Sequence, residues 1–167
     1  MSNQISGKSE VVIRLHQPGD IGWVIERHGV IYSKEFGWNE KFEALCAEVA
    51  TKFLISHDAE RERCWIAEHN GKRVGCVFLF KQSEDVAKLR LLLVEQEARG
   101  LGVGRSLVQE CLDFARAAGY KRLTLWTNNV LHAARHLYEE AGLQCVASES
   151  TNEYGKELVF EQWDGDL

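Results

Sequence analysis

Residues 88–106, KLRLLLVEQEARGLGVGRS, constrain this chain more than any other stretch. An uninterrupted apolar run, Leu91-Leu92-Leu93-Val94, leads into a charged turn, Glu95-Gln96-Glu97-Ala98, and then into Arg99-Gly100-Leu101-Gly102-Val103-Gly104. Beyond Arg105 and Ser106, apolar residues return at helical spacing: Leu107, Val108, Cys111, Leu112, Ala115 and Ala118. A strand covered on both faces, a glycine-rich turn and a helix together make an anion cradle. N–H groups of the turn and of the first helical turn lack a partner inside the helix and can meet phosphate oxygens. Glycine removes the Cβ that would hold a ligand off the backbone, and Arg105 adds formal charge. The plainer alternative is a tight turn with glycine for geometry alone.

Two common phosphate motifs do not fit. The dinucleotide fingerprint G-x-G-x-x-G needs an acid about 20 residues on, whereas the next strand here ends Trp126-Thr127-Asn128. A P-loop needs Gly-Lys-Ser/Thr, and this chain has Gly104-Arg105-Ser106. The spacing that does fit is R-x-x-G-x-G, from Arg99 to Gly104. It resembles the coenzyme A pyrophosphate loop of the GNAT (Gcn5-related N-acetyltransferase) superfamily.

The remainder of the chain is ordinary for a globular protein. Its 167 residues, 45% hydrophobic and 27% charged, suit one globular domain with a proper core. A net charge of −5 sets up no basic field toward nucleic acid or an anionic membrane. The five cysteines are scattered without a C-x-x-C, four of them in apolar stretches, which reads as free buried thiols in a cytoplasmic protein. The first 20 residues carry no apolar core of a signal peptide, and no apolar run approaches the ~18 residues of a membrane span. Residues 1–9 are polar and expected to fray.

Strands are expected at 11–15, 64–68, 74–80, 86–94, 123–126, 143–147 and 157–160, with Asn70-Gly71 as a hairpin turn. Helices are expected over 21–36, capped by Asp20 and weakened by Gly29, over the segment after Asn39, over 107–118, and over 130–141, capped by Asn128 or Asn129. The fold class is therefore α/β: a mixed, mostly antiparallel sheet of six or seven strands, a central parallel β-α-β pair, and about four helices. That order resembles the GNAT order over residues 11–163. Leu137-Tyr138-Glu139-Glu140-Ala141-Gly142-Leu143 is similar to the L-Y-E-x-x-G-F that closes the fourth helix in the family, with Leu143 in place of Phe. Arg27-His28-Gly29 with Tyr32, and Glu35-Phe36-Gly37-Trp38, are similar to GNAT domains fused behind MarR-type regulators. No helix-turn-helix portion accompanies them, so no DNA binding is carried over.

The resemblance implies acetyl-CoA as cosubstrate, no metal, and a primary amine of unspecified identity as acceptor. It implies that backbone from Leu92, Leu93 and Val94 pairs with the pantetheine arm between splayed strands, with an N–H near Val94 polarising the carbonyl. It implies that Arg99, Gly100, Leu101, Gly102, Val103, Gly104, Arg105 and Ser106 hold the pyrophosphate. Tyr138 would protonate the leaving thiolate. Many relatives place an asparagine seven residues before that tyrosine; Leu131 stands there, so the role passes to Asn128.

Some relatives carry a glutamate base where this chain has Lys88. Glu26, His28, Glu35 and Glu68 are the other candidate bases, each with an ordinary reading as a solvated charge or a core histidine. Trp23, Tyr32, Phe36 and Trp38 are either core or lining of the acceptor pocket. His132 and His136 have metal-ligand spacing but lack the glutamate of H-E-x-x-H. Dimerisation is common in the family. Another acyl donor, or a coenzyme-binding sensor with little turnover, stays open as a rival.

Overall fold

The glycine-loop segment lies at the middle of a seven-stranded sheet, in the order β1-β2-β3-β4-β5-β7-β6. The computed structural model describes residues 10–167, so the segment expected to fray lies outside the described residues. The elements are β1 Val11–Leu15, α1 Asp20–Phe36, α2 Glu40–Ser56, β2 Arg63–His69, β3 Lys72–Lys81 and β4 Val86–Val94. After a 3-10 turn at Gln96–Ala98 come α3 Val103–Ala117, β5 Arg122–Asn128, α4 His132–Glu140, β6 Gln144–Thr151 and β7 Leu158–Asp166. Among the described residues only β4 and β5 pair in parallel; the other neighbouring strands are antiparallel.

Alternation along β2 and β3 sends side chains to two separate cores. Trp65, Ala67, Val77 and Leu79 face α3, packing with Leu107, Cys111 and Ala115. Cys64, Ile66, Cys76 and Phe78 face α1 and α2, packing with Val24, Ile31 and Phe53. The β2–β3 hairpin turns at Asn70-Gly71, with φ of 53° and 73°, as a two-residue turn with both central residues left-handed requires.

Four local expectations are corrected. Gly19, at φ 96°, takes the N-cap of α1, and Asp20 is the first helical residue, buried beneath the helix start. Helix α1 runs unbroken through Gly29, which serves close packing: a Cβ there would overlap the Glu43 carboxylate of α2. Neither Asn128 nor Asn129 caps α4. Leu131 holds that position, while Asn129 Oδ1 accepts from the Val159 N–H at 3.1 Å. Strands β6 and β7 also run longer than their apolar stretches, because pairing with each other, and of β7 with β5, carries polar residues into the ladder.

Asp20 ties three elements together. Its carboxylate accepts from Arg14 at 2.7 and 3.1 Å and from the Gln17 N–H at 2.6 Å, and lies 2.9 Å from Arg73 Nε. Burial pushes its pKa up, but the Arg14 hydrogen bonds, the Gln17 N–H and Arg73 outweigh that and hold it below the usual carboxylate value. Asp20→Asn is therefore expected to cost on the order of 3 kcal/mol, since it leaves two guanidinium groups facing a neutral amide. Urea denaturation should show a lower midpoint with an unchanged slope.

Candidate active site

The parallel ladder between β4 and β5 covers only Val86↔Arg122, Ala87↔Leu123 and Lys88↔Thr124. Both strands continue, β4 to Val94 and β5 to Asn128, but unpaired to each other. The local cause lies in β4. Its register with β3 jumps from Arg90↔Phe78 to Leu93↔Cys76, so Leu91 and Leu92 together oppose Val77, and Leu91 sits at φ 53°. Such a bulge bends the strand and strengthens its twist. The gap implied by the resemblance is thus present, with a bulge in β4 beside it.

At the far end of β4 the three loop glycines divide their work. Gly100 and Gly102 have φ of 83° and 78°, and a Cβ on either would meet open space within 4 Å. Gly104 is different: a Cβ there would lie 2.8 Å from Leu137 Cδ1 and 3.6 Å from Val94 Cγ2, so this glycine lets α3, α4 and the end of β4 meet. Ser106 is the first residue to close a helical bond, donating to Gly102 O at 3.0 Å. The N–H groups from Gly102 to Arg105 are left without a helical partner. That is a fit for a diphosphate: free amides, positive helix end, and open space where a side chain would intrude.

The side chains named with the loop contribute less than expected. Arg105 is engaged by Glu140 of α4 at 3.0–3.1 Å, and Arg99 by Glu35 at 2.5 Å. Val103 and Leu93 are buried in the two cores, leaving only their backbone for a ligand, and Leu101 is exposed. The Ser106 N–H is used inside the helix, so its hydroxyl alone is available.

On the other side the gap widens into a cavity of about 410 Å³. Lys88, Arg90 and Leu92 line it from β4, Asn128 from β5, and Tyr138 and Ala134 from α4. Tyr32, Trp38, Phe42, Tyr154 and Phe160 form an aromatic wall, with neighbouring centroids 4.7–5.8 Å apart. The Tyr154 carbonyl accepts from the Asn39 N–H at 3.0 Å, fastening the β6–β7 turn to the α1–α2 connection. Of the aromatic residues singled out in the sequence, Tyr32 and Trp38 line the cavity and Phe36 packs behind them. Trp23 belongs to a different cluster, its ring 5.9 Å from the Arg73 guanidinium. Phe42, Tyr154 and Phe160 were not identified from sequence as pocket residues; each lies in a stretch that reads as ordinary core or turn.

Three residues lining the cavity carry buried polar atoms with no hydrogen-bond partner among the described residues: His28 Nε2, Trp38 Nε1 and Asn128 Oδ1. Buried polar atoms are normally satisfied, so three exceptions on residues that line one cavity set this region apart. Tyr138 is 4% exposed, its hydroxyl has no hydrogen bond among the described residues, and burial raises its pKa above that of free tyrosine. Of the candidate bases, Glu35 is paired with Arg99, Glu68 accepts from Arg14 Nε at 2.7 Å, and Glu26 is exposed outside the cavity lining. His28 alone of the four reaches the cavity, with Nδ1 2.7 Å from Val24 O; burial lowers its pKa to about 4. His136 lies 3.0 Å from Glu140, and Arg135 2.9 Å from Glu161.

Residues 23–143 match the model of the acetyltransferase (GNAT) family. The chain is 31% identical over 121 residues to rat N-acetyltransferase family 8 member 3, covering 66% of this chain and 51% of that protein. It is 32% identical over 120 residues to a 5-NmdU N-acetyltransferase of Pseudomonas phage PaMx11, covering 70% and 81%. The chain thus spans about half the length of the first curated relatives it matches. A solved acetyltransferase structure from Salmonella typhimurium with its cofactor acetyl-CoA superposes with a TM-score of 0.74 at 16% identity, covering 95% of each chain.

His28 gives this site a signature in stability. Its folded pKa near 4 lies below the unfolded value of ~6.5, so the unfolded chain binds the extra proton between those pH values. Stability is full above pH ~6.5 and falls as pH drops toward 4. Between pH 7 and 5 the wild type should lose about 2 kcal/mol more than His28→Gln, measured by denaturant titration at each pH.

Proposed function

Because the chain belongs to the GNAT acetyltransferase family, we propose that it is an acetyl-CoA-dependent N-acetyltransferase. It moves an acetyl group to the primary amine of a small molecule or peptide by direct transfer in a ternary complex. The observation that carries this reading is the gap between β4 and β5, with the glycine loop at one end and a cavity lined by Tyr138 and Asn128 at the other.

When bound, acetyl-CoA supplies an activated thioester. The free amides from Gly102 to Arg105 hold its diphosphate, and the backbone of Leu92 to Val94 on the side away from β3, where the Tyr32 hydroxyl reaches Leu92 O at 3.4 Å, holds its arm with Asn128 Oδ1. An N–H near Val94 donates to the thioester oxygen as charge develops there, an interaction worth ~3 kcal/mol for one donor. The acceptor amine resembles lysine, with a pKa of ~10.4, so roughly one molecule in a thousand is neutral at pH 7. It sheds its proton at the cavity mouth, where Glu149 and Glu153 are exposed, and enters a largely aromatic site that favours the neutral form. Neutral His28 offers its Nε2 lone pair to the amine N–H; with a pKa near 4 it orients the amine and does not store its proton.

Tyr138 donates its O–H toward the departing sulfur. A phenol held above its usual pKa hydrogen-bonds a thiolate of pKa ~8.5 more readily than it protonates it outright, so the assistance is modest; the proton that the nitrogen sheds as the amide forms ends on that sulfur, and the coenzyme leaves as the thiol. Direct transfer fits the thiols. Burial pushes Cys46 up to about 12 and raises Cys64, Cys76 and Cys111, which leaves them poor nucleophiles. Cys145 is exposed on β6, outside the cavity lining. Buried free thiols and a net charge of −5 suit a cytoplasmic enzyme that does not act on nucleic acid.

Tyr138→Phe should lower kcat on the order of 10- to 100-fold with acetyl-CoA binding retained. An unchanged kcat in the folded variant removes the role. Gly102→Val should abolish acetyl-CoA binding in calorimetry, because the side chain fills the space left for the diphosphate. Tight acetyl-CoA binding by the wild type, with no thiol release across an amine library, would instead favour a sensor.

A further inference from the structure

Two cations in the cavity have no visible reason to be there. Lys88 and Arg90 are two residues apart on β4, hence on one face about 7 Å apart, and both line the cavity. Both are half-buried, and neither forms an ion pair among the described residues. Burial lowers the pKa of each, and the charge of Arg90 further lowers Lys88. Cys46 and Glu48 of α2 and Tyr154 act on Arg90 without an ion pair or hydrogen bond to it, and the Phe80 ring centre lies 5.9 Å from its guanidinium. The other basic side chains near the site are engaged, Arg99 by Glu35 and Arg105 by Glu140.

Carboxylates also line the cavity, so the balance needs weighing. Glu149 and Glu153 are exposed at its rim, where water screens them and an unpaired charge costs little. Lys88 and Arg90 lie deeper, where an unpaired charge is expensive and a bound anion would offset most of that cost. The wall opposite them is aromatic: Tyr32, Trp38, Phe42, Tyr154 and Phe160. A ligand that answers both features carries an anion and an apolar body.

We propose that the acceptor is a small amino acid substrate, a primary amine bearing its own carboxylate and an apolar side chain, with Arg90 and Lys88 anchoring the carboxylate. This rests on the acetyltransfer reading above and narrows it. The planar guanidinium of Arg90 suits two-point recognition of a carboxylate, and Lys88 adds a point charge beside it. Anchoring there leaves the amine free to turn toward the Leu92–Val94 end of β4, where the gap opens. An internal lysine of a protein has no carboxylate beside its amine and would leave both cations unanswered.

The test compares phenylalanine, leucine and methionine with their carboxamides and with the corresponding decarboxylated amines, using thiol release from acetyl-CoA. The free acids should be preferred in kcat/KM by about 10- to 100-fold over the amides. In Arg90→Met that preference should collapse toward one, and Arg90→Lys should restore part of it. Arg90→Met removes a half-buried unpaired charge, so loss of folding is not the expected outcome, and the melting temperature checks it. Equal rates for acids and amides, or an equal loss on every amine in Arg90→Met, overturns the amino acid assignment. Calorimetry with acetyl-CoA on the same proteins separates the two readings. Coenzyme binding with turnover of amides alone sinks only this inference, whereas absent coenzyme binding sinks the acetyltransferase reading on which it stands.

Discussion

The site depends on two strands that begin as partners and then separate. Three rungs hold β4 to β5, and beyond Lys88 and Thr124 each strand keeps only its outer neighbour. Leaving inner backbone groups unpaired inside a sheet is costly, since each amide or carbonyl wants a partner. A non-glycine residue, Leu91, is held at positive φ in the bulge beside the gap, a conformation that only a well-packed surround sustains. The surround is available: β3 continues to pair with β4 on the outside of the bend, and α1 and α3 cover its two faces.

The two ends of the cleft do different work with different materials. At the glycine loop the groups left open are backbone amides, and the nearby arginines are turned to Glu35 and Glu140. These pairs bind the loop to α1 and the helix start to α4, so they act as braces for the amides. At the cavity the groups on offer are side chains brought from α1, α2, β4, β5, α4, β6 and β7, with an aromatic wall, unpartnered polar atoms and unpaired cations. Backbone recognition suits a ligand that never changes, and side-chain recognition suits the half of the reaction that distinguishes one enzyme from another. This division explains why the donor could be read from a short motif and the acceptor could not.

Several elements were legible because local rules decide them. The hairpin at Asn70-Gly71, the Asn39 cap of α2, and the full length of β4 follow from turn chemistry and apolar runs. Misreadings arose where a residue's local preference was overruled by a distant partner. Asp20 has the chemistry of an N-cap, but Arg14 and Arg73 draw it under the helix. Asn129 has the chemistry of a cap and instead serves Val159 across the sheet. Gly29 reads in the sequence as a weak point of α1 and Gly104 as part of the anion loop, and both provide clearance, for Glu43 and for Leu137.

By itself the sequence determined the order of elements, the glycine turn that leads from β4 into α3, and the place of Tyr138 on α4, because each of these rests on contacts within a few residues or on a contiguous motif. Only the tertiary structure decided which aromatic rings wall the cavity, that His28 is the one candidate base to reach it, and that Lys88 and Arg90 stand there without counter-ions. Those outcomes depend on burial and on distances between segments far apart in the chain. A charge or a ring has the same appearance in sequence whether it meets water, a partner or an empty cleft.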